Sequence, residues 1–456
     1  MKIVQLKKQR NKLLITLMFT LIISVMNATA FNIVIPQVSE TFRITTAQGS
    51  WITSIYILVF AIGTVIYGKL ADIYKLKNLV TFGFMLCAIG SIIGISAQSF
   101  PVVLAGRFIQ AAGAAVSPAT AMIIPVRYFS QDERGRALGI ASVGTALGSV
   151  VGPIISALTV SVFGWRWLFF VSLLFLTTIP FFRKYLEDDQ KKRTRFDWLG
   201  GGILAASIAL VMLSITMEVW QYALTGILML TLFIIRIRLS ADPFIQPELL
   251  KNTRYNLGLT IAFLANGTGY SVFFLSPLLL FNVNHLDPGL IGFTMVPAAL
   301  VTAVLSFKGG KLADTKGNAP VFYIGTALLV TFFLLVTIFV GTSALFFSVF
   351  LILGNLGQSF ITIALFNAIS RTLPSQEAGL GMGLLAMLNF ISNSMAAAIF
   401  SKMVDMRFSH IWNPLNHSHK SIVYSNIFLC LFLLQIGLYV FYLWWSQKEE
   451  GKARSI

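Results

Sequence analysis

Gly68-Lys69-Leu70-Ala71-Asp72 reads GKLAD, and the same five letters return at Gly310-Lys311-Leu312-Ala313-Asp314, 242 residues on (310 − 68 = 242). A repeat carrying two charges stands out in a chain of 456 residues that is 56% hydrophobic and only 11% charged. Soluble domains carry about 25% charged residues. The composition therefore indicates a polytopic membrane protein, and long apolar runs indicate helices as the spanning elements. The two GKLAD copies lie at the edges of such runs.

A membrane helix needs about 20 mostly apolar residues. Fourteen stretches qualify, at 13–35, 50–67, 79–98, 102–126, 136–160, 166–182, 198–216, 220–237, 255–282, 290–307, 320–340, 343–369, 379–401 and 422–445. The short junctions near Pro101 and Thr342 decide the count. The first run follows a basic segment (Lys2, Lys7, Lys8, Arg10, Lys12) and is too long for a signal peptide, so it reads as an uncleaved helix. Basic residues test the topology, because cytoplasmic loops hold most of them. With the N-terminus inside, the inside segments collect Arg127, Arg134 and Arg136, the 183–195 cluster, and Arg236, Arg238, Lys251 and Arg254. The outside loops hold only Arg43, Arg166, Lys402, Arg407 and Lys420. Both termini are thus expected in the cytoplasm of a plasma-membrane protein, which requires an even number of spans.

Each GKLAD then follows the second span of a six-span half, on the cytoplasmic side. The expected domains are 1–185, a six-helix bundle; 186–254, a linker with two inserted helices; and 255–456, a second six-helix bundle. Paired six-helix halves are a transporter plan. In the turn, Gly68 and Gly310 allow close helix approach. Asp72 and Asp314 can accept backbone N–H groups at a helix N-terminus or pair with an arginine. Contacts of that kind would latch the inside and release as the halves rock.

Arg107 is the one clear charge within a span, and it shares a helix face with Gln110 and Ser117. An intramembrane charge is a functional hypothesis by default. Its alternative is a side chain snorkelling to the surface. In the fifth span Gly144, Gly148 and Gly152 recur every four residues and precede Pro153, which gives a packing face and a kink. Asn27 and Asn32 place amides in the first span, for a cavity or for helix packing. Further amide and aromatic candidates for a pocket are Asn266, Tyr270, Gln358, Asn367, Asn389 and Asn393.

These stretches resemble motifs of the major facilitator superfamily. Gly68–Asp72 is similar to its loop 2–3 signature, G-x-L-a-D-r-x-G-r-k, with Lys75 where that pattern has glycine. Gly106–Gly113 resembles its R-x-x-q-G motif, whose arginine is linked to proton transfer, with Ala111 in place of the glycine. Gly144–Ala157 is similar to the antiporter motif g-x-x-x-G-P-x-x-G-G, which implies efflux. Gly164-Trp165-Arg166-Trp167 and Asn27–Pro36 resemble patterns of the fourteen-helix drug–proton antiporters. Phe196-Asp197, Ala241–Phe244, Gln376–Gly379 and Tyr424–Asn426 look more narrowly like the tetracycline branch. The resemblance covers essentially the whole chain and implies an all-α major facilitator fold of two six-helix bundles plus two linker helices.

The chain departs from that branch where it matters. Ala28, Ser149 and Asn393 stand where the branch has acids, and the acids here lie in loops or at span ends. Tetracycline–proton antiport would have to use span-end carboxylates such as Asp72 or Glu218. The resulting expectation is a secondary active exporter of drugs or other small amphipathic molecules, coupled to protons. The alternative is a dedicated exporter of an endogenous metabolite or lipid-like molecule. A non-transporting receptor or scaffold lacks an extramembrane domain to signal through. No nucleotide loop, paired acid–base site or metal-ligand spacing is present, so no enzyme, cofactor or metal is expected. Net charge +17 sits between apolar stretches, which excludes a nucleic-acid domain. The expected partners are a small-molecule substrate, a proton and the lipid bilayer, and the protein is expected to act as a monomer.

Overall fold

The computed structural model describes the chain except residues 1, 32–33, 45, 50, 187–196, 218, 241–242, 246, 287, 375–377, 406–412, 415–421 and 454–456. Long helices follow one another in the predicted order. They are α1 Lys2–Ala30, α2 Trp51–Ile73, α3 Leu76–Ile95, α4 Phe100–Tyr128, α5 Arg134–Phe163, α6 Trp165–Tyr185 and α7 Trp198–Met217. After these come α8 Trp220–Leu239, α9 Thr253–Asn282, α10 Pro288–Lys316, α11 Asn318–Ile338, α12 Ala344–Arg371, α13 Ala378–Asp405 and α14 Ile422–Ala453. Among the described residues, twelve helices are long and apolar enough to cross a bilayer. α5, with 30 residues, and α7, with 20, complete the series.

Local chemistry sets the ends. Pro101 sits in the first turn of α4, where its missing N–H costs nothing. Gly164 and Gly317 carry φ of 87° and 86° at the entries to α6 and α11. That is a backbone region glycine enters freely. Asn252 caps α9 by accepting the Tyr255 N–H at 3.2 Å. The junctions at Pro101 and Thr342 are true breaks, so α3–α4 and α11–α12 are separate pairs.

Some boundaries differ from the sequence reading. The second and tenth spans were expected to stop at 67 and 307, with GKLAD opening the turn after each, but α2 runs on to Ile73 and α10 to Lys316, so both GKLAD copies are helical and lie at the ends of these helices. Lysine, leucine and alanine are good helix formers. The first span was expected over 13–35, but α1 ends at Ala30 and a separate short helix runs Ile35–Phe42. Pro36 lies in the first turn of that helix. A proline has no N–H to donate to the preceding turn and its ring crowds that turn, so it is tolerated in the first turn of a new helix and not inside a continuing one. Asn32, placed in that span, lies outside the described residues.

The chain packs as two compact units. The first holds Met1–Ser130, Gly144–Lys251 and Leu373–Met387; the second holds Gln131–Val143, Asn252–Thr372 and Leu388–Ile456. The inserted helices α7 and α8 therefore pack with the first unit. Residues 131–143, at the start of α5, belong to the second unit, and residues 373–387, at the start of α13, belong to the first.

Glycines set the tightest helix pairs. A Cβ on Gly83 of α3 would lie 2.8 Å from the Gly113 carbonyl of α4. A Cβ on Gly325 of α11 would lie 2.9 Å from the Gly357 carbonyl of α12. Neither position tolerates a side chain without separating the backbones. Gly83 and Gly325 are also 242 residues apart, so the repeat announced by GKLAD extends into the packing. In the first unit, Gly144 and Gly148 of α5 meet the carbonyls of Met18 and Ile22 on α1 at 2.6 and 2.8 Å from an added Cβ. Gly152 meets Thr29 Oγ1 in the same way at 2.5 Å. α5 remains helical through Pro153.

Candidate functional site

Arg107 lies seven residues into α4, about 10 Å along its axis. Its side chain is 0% exposed, so it does not snorkel. The reason is the apolar cluster at that end of the first unit. Phe31 and Ile52, which contact Arg107, belong to an apolar cluster with Ala30, Val34, Val103, Trp165 and Phe169, none more than 5% exposed. The guanidinium lies 4.1 Å from the Phe31 ring centroid and 4.0 Å from that of Tyr56. Both are within the range of cation–π attraction.

The polar contacts form one chain. Arg107 Nε donates to the Ile52 carbonyl at 3.2 Å, and Nη1 donates to Gln110 Oε1 at 2.6 Å and Asn27 Oδ1 at 3.5 Å. Gln110 Nε2 donates onward to Ser91 Oγ at 3.0 Å and Ser172 Oγ at 2.7 Å. Asn27 Nδ2 donates to the Tyr56 hydroxyl at 3.2 Å. Asn27, Arg107 and Gln110 were expected from sequence and do meet. Ser117, expected on the same face, is buried and its hydroxyl bonds to none of them. Tyr56, Phe31, Ser91 and Ser172 were not expected. Each is an ordinary residue in an apolar run, and no sequence signal marks it.

A second polar cluster lies in the second unit, and it is neutral. Asn266 of α9 donates Nδ2 to Asn389 Oδ1 of α13 at 2.7 Å. Gln358 of α12 donates Nε2 to Asn266 Oδ1 at 3.3 Å. The Gln358 side chain occupies the space beside Gly269 where a Cβ would otherwise sit. Its Oε1 is buried without a hydrogen bond. Tyr270 and Asn393 stand one helical turn from Asn266 and Asn389, half-buried and outside this hydrogen-bonded set. Asn367 is not part of it. It lies near the far end of α12, fully buried, and donates to Asn318 Oδ1 at 2.8 Å. Its position nine residues past Gln358 on one helix puts it about 13 Å away.

The two GKLAD segments, at the ends of α2 and α10, are built alike. In the first unit a Cβ on Gly68 would lie 2.7 Å from the Gly379 carbonyl. Asp72 pairs with Arg127 of α4 and accepts the Leu380 N–H of α13 at 3.0 Å. Arg127 Nη1 also donates to the Ala71 carbonyl at 2.7 Å. In the second unit, a Cβ on Gly135 would lie 2.5 Å from the Gly310 carbonyl. Asp314 accepts the N–H groups of Gly135 and Arg136, both at 2.6 Å. Each aspartate therefore caps the N-terminus of a helix that the sequence places in the other half. Carboxylates there are favoured by orphan N–H groups and by the helix dipole.

Asp197, one of the span-end acids, is also engaged. It caps α7 through the Gly200 N–H at 2.9 Å and pairs with Arg236 of α8 at 3.2 Å. Glu218 lies outside the described residues. No group of three or more potential metal ligands occurs among the described residues.

The chain matches the Major Facilitator Superfamily over residues 17–397. It is 25% identical over 429 residues to the riboflavin transporter RibZ of Clostridioides difficile (strain 630), covering 92% of this chain and 93% of that protein. It is 25% identical over 324 residues to multidrug resistance protein 3 of Bacillus subtilis (strain 168), covering 68% and 63%. Among solved structures it resembles the human organic anion transporter MFSD10 (TETRAN), with TM-score 0.66 at 15% identity over 93% of this chain and 99% of that one. The structural likeness speaks for the fold.

Proposed function

This chain belongs to the Major Facilitator Superfamily, a family of transporters and not enzymes, and on that premise we propose that it is a secondary active exporter of drugs or other small amphipathic molecules. The single observation that carries alternating access is the pair of GKLAD caps. Asp72 accepts the Leu380 N–H at the start of α13, and Asp314 accepts the Gly135 and Arg136 N–H groups at the start of α5. Contacts of that strength and number can break and reform in a transport cycle, and their glycines let the helices close again without obstruction.

Export, not uptake, is supported by the glycine–proline motif of α5 and by relatives named as multidrug resistance proteins. The finer placement among fourteen-helix drug–proton antiporters, near the tetracycline branch, rests on the motifs of the sequence and on the helix pair α7–α8. The coupling ion we assign is the proton. Among the described residues no acid bonds to the Arg107 chain, so the protonating group is a span-end carboxylate such as Asp72, or the substrate itself. The distribution of basic residues supports a topology with both termini in the cytoplasm.

A second reading, export of one endogenous metabolite, is favoured by the amide cluster Asn266–Gln358–Asn389 and by the relative named as a riboflavin transporter. Amides offer donors and acceptors together, which suits a heteroaromatic ring edge.

Purified protein in liposomes, with an internal pH dye and an imposed pH gradient, separates these readings. The panel is tetracycline with magnesium, lipophilic cations, amphipathic acids and riboflavin. Substrate-evoked pH changes with several drugs, lost in Gly152→Leu with expression retained, are expected. A response to riboflavin alone would select the second reading. Labelled substrate crossing without any pH change would overturn proton coupling.

A further inference from the structure

We propose that Arg107 is the anchor for an anionic group of the transported molecule, so that the preferred substrate is an amphipathic carboxylate. The inference deepens the export reading and rests on it for its transport consequence, while the binding itself stands alone.

Three observations carry it. First, Arg107 is fully buried, and its recorded partners are the neutral acceptors Ile52 O, Gln110 Oε1 and Asn27 Oδ1. A buried charge without a counter-charge is costly. Second, Nη2 of the same guanidinium is buried and makes no hydrogen bond. Arginine otherwise favours paired N–H donors on one carboxylate. Third, the groups around it are aromatic and aliphatic, with Phe31 and Tyr56 against the guanidinium itself. An occupant reaching Nη2 parts the side chains packed on the guanidinium, so it carries an anionic head for Nη2 and an apolar body for the aromatic and aliphatic groups it displaces. Neutral amides hold the guanidinium in place without neutralising it. The charge is thus left for an occupant that comes and goes.

A small inorganic anion offers the same chemistry to Nη2, and the test separates the two. The full chain in phosphatidylcholine nanodiscs is titrated with 1-naphthaleneacetate, with its uncharged amide 1-naphthaleneacetamide, and with sodium chloride in chloride-free buffer. Thermal unfolding is the readout. The acetate should raise the unfolding midpoint saturably and the amide should not. Arg107→Lys should retain a response. Arg107→Gln should weaken it about tenfold or more, the loss of a charge-assisted hydrogen bond. Should Arg107→Gln fail to fold, Asn27→Asp gives the same answer from the other side. A carboxylate 3.5 Å from Nη1 supplies the missing counter-charge. That variant should unfold at a higher temperature without ligand and no longer respond to the acetate.

Equal responses to acetate and amide, or an undiminished response in Asn27→Asp, would overturn the proposal. Chloride stabilising the protein and displacing the acetate would assign Nη2 to an inorganic ion and overturn the substrate carboxylate. Absent acetate binding alongside intact export of neutral drugs would sink this inference and leave the export reading standing. Acetate binding without export of any compound would do the reverse.

Discussion

The two GKLAD segments, at the C-terminal ends of α2 and α10, are the same device closed in two ways. Gly68 meets the backbone of Gly379, and Gly310 meets that of Gly135. Asp72 and Asp314 each reach the first turn of a helix, α13 and α5. The difference is in charge. Asp72 takes one recorded backbone N–H and the Arg127 guanidinium, whereas Asp314 takes two backbone N–H groups. Arg371 ends α12 as Arg127 nearly ends α4, yet it donates to the Gln131 carbonyl at 3.1 Å. The common part is glycine contact plus a carboxylate on a helix N-terminus, so the ion pair is an addition to the device and not its basis. The polar clusters diverge further, with a charged one around Arg107 and a neutral one around Asn266. The two segments share a glycine contact and a carboxylate on a helix N-terminus, and the two polar clusters differ in charge.

The comparison breaks first at the glycines. Gly68→Leu and Gly310→Leu should each abolish transport, because a side chain there meets a backbone and not a flexible neighbour. Export assays on membranes with matched expression check this, and activity surviving in either variant would show that these helix contacts need not close. Next comes the charge difference. Asp72→Asn leaves Arg127 without its counter-charge in a setting where the two side chains are 14% and 9% exposed. It should cost about 3 kcal/mol, as for a mostly buried pair losing one partner. Asp314→Asn removes only the charge from a capping acceptor and should cost about 1 kcal/mol. Thermal unfolding in one detergent compares the two, and equal losses would mean that the ion pair adds nothing. A smaller effect sharpens the comparison of arginines. Arg127→Ala should destabilise more than Arg371→Ala, whose exposed hydrogen bond to a carbonyl is worth about 1 kcal/mol or less. The smallest expected effect lies in the neutral cluster. Gln358→Leu removes one 3.3 Å hydrogen bond and a buried unbonded oxygen. It should leave stability within about 1 kcal/mol and alter substrate preference, read as a change in the ranking of exported compounds.

Sequence alone determined the helical membrane class, the order of the spans and the internal repeat. Those properties are written in local composition: apolar runs of membrane length, basic residues between them, and a motif recurring at a fixed distance. It also picked out Asn27, Arg107 and Gln110, because polar side chains are few within apolar runs. Tertiary structure decided what those residues do. Whether Arg107 snorkels depends on the packing of Phe31 and Tyr56 against it, and which partners it bonds depends on the groups that arrive from α1 and α2. The separation of Asn367 from the other amides follows from axial distance along α12, and the capping by Asp72 and Asp314 from helices 308 and 179 residues away along the chain. Contacts between residues so distant in sequence are fixed by how helices pack, and packing depends on all the facing side chains at once.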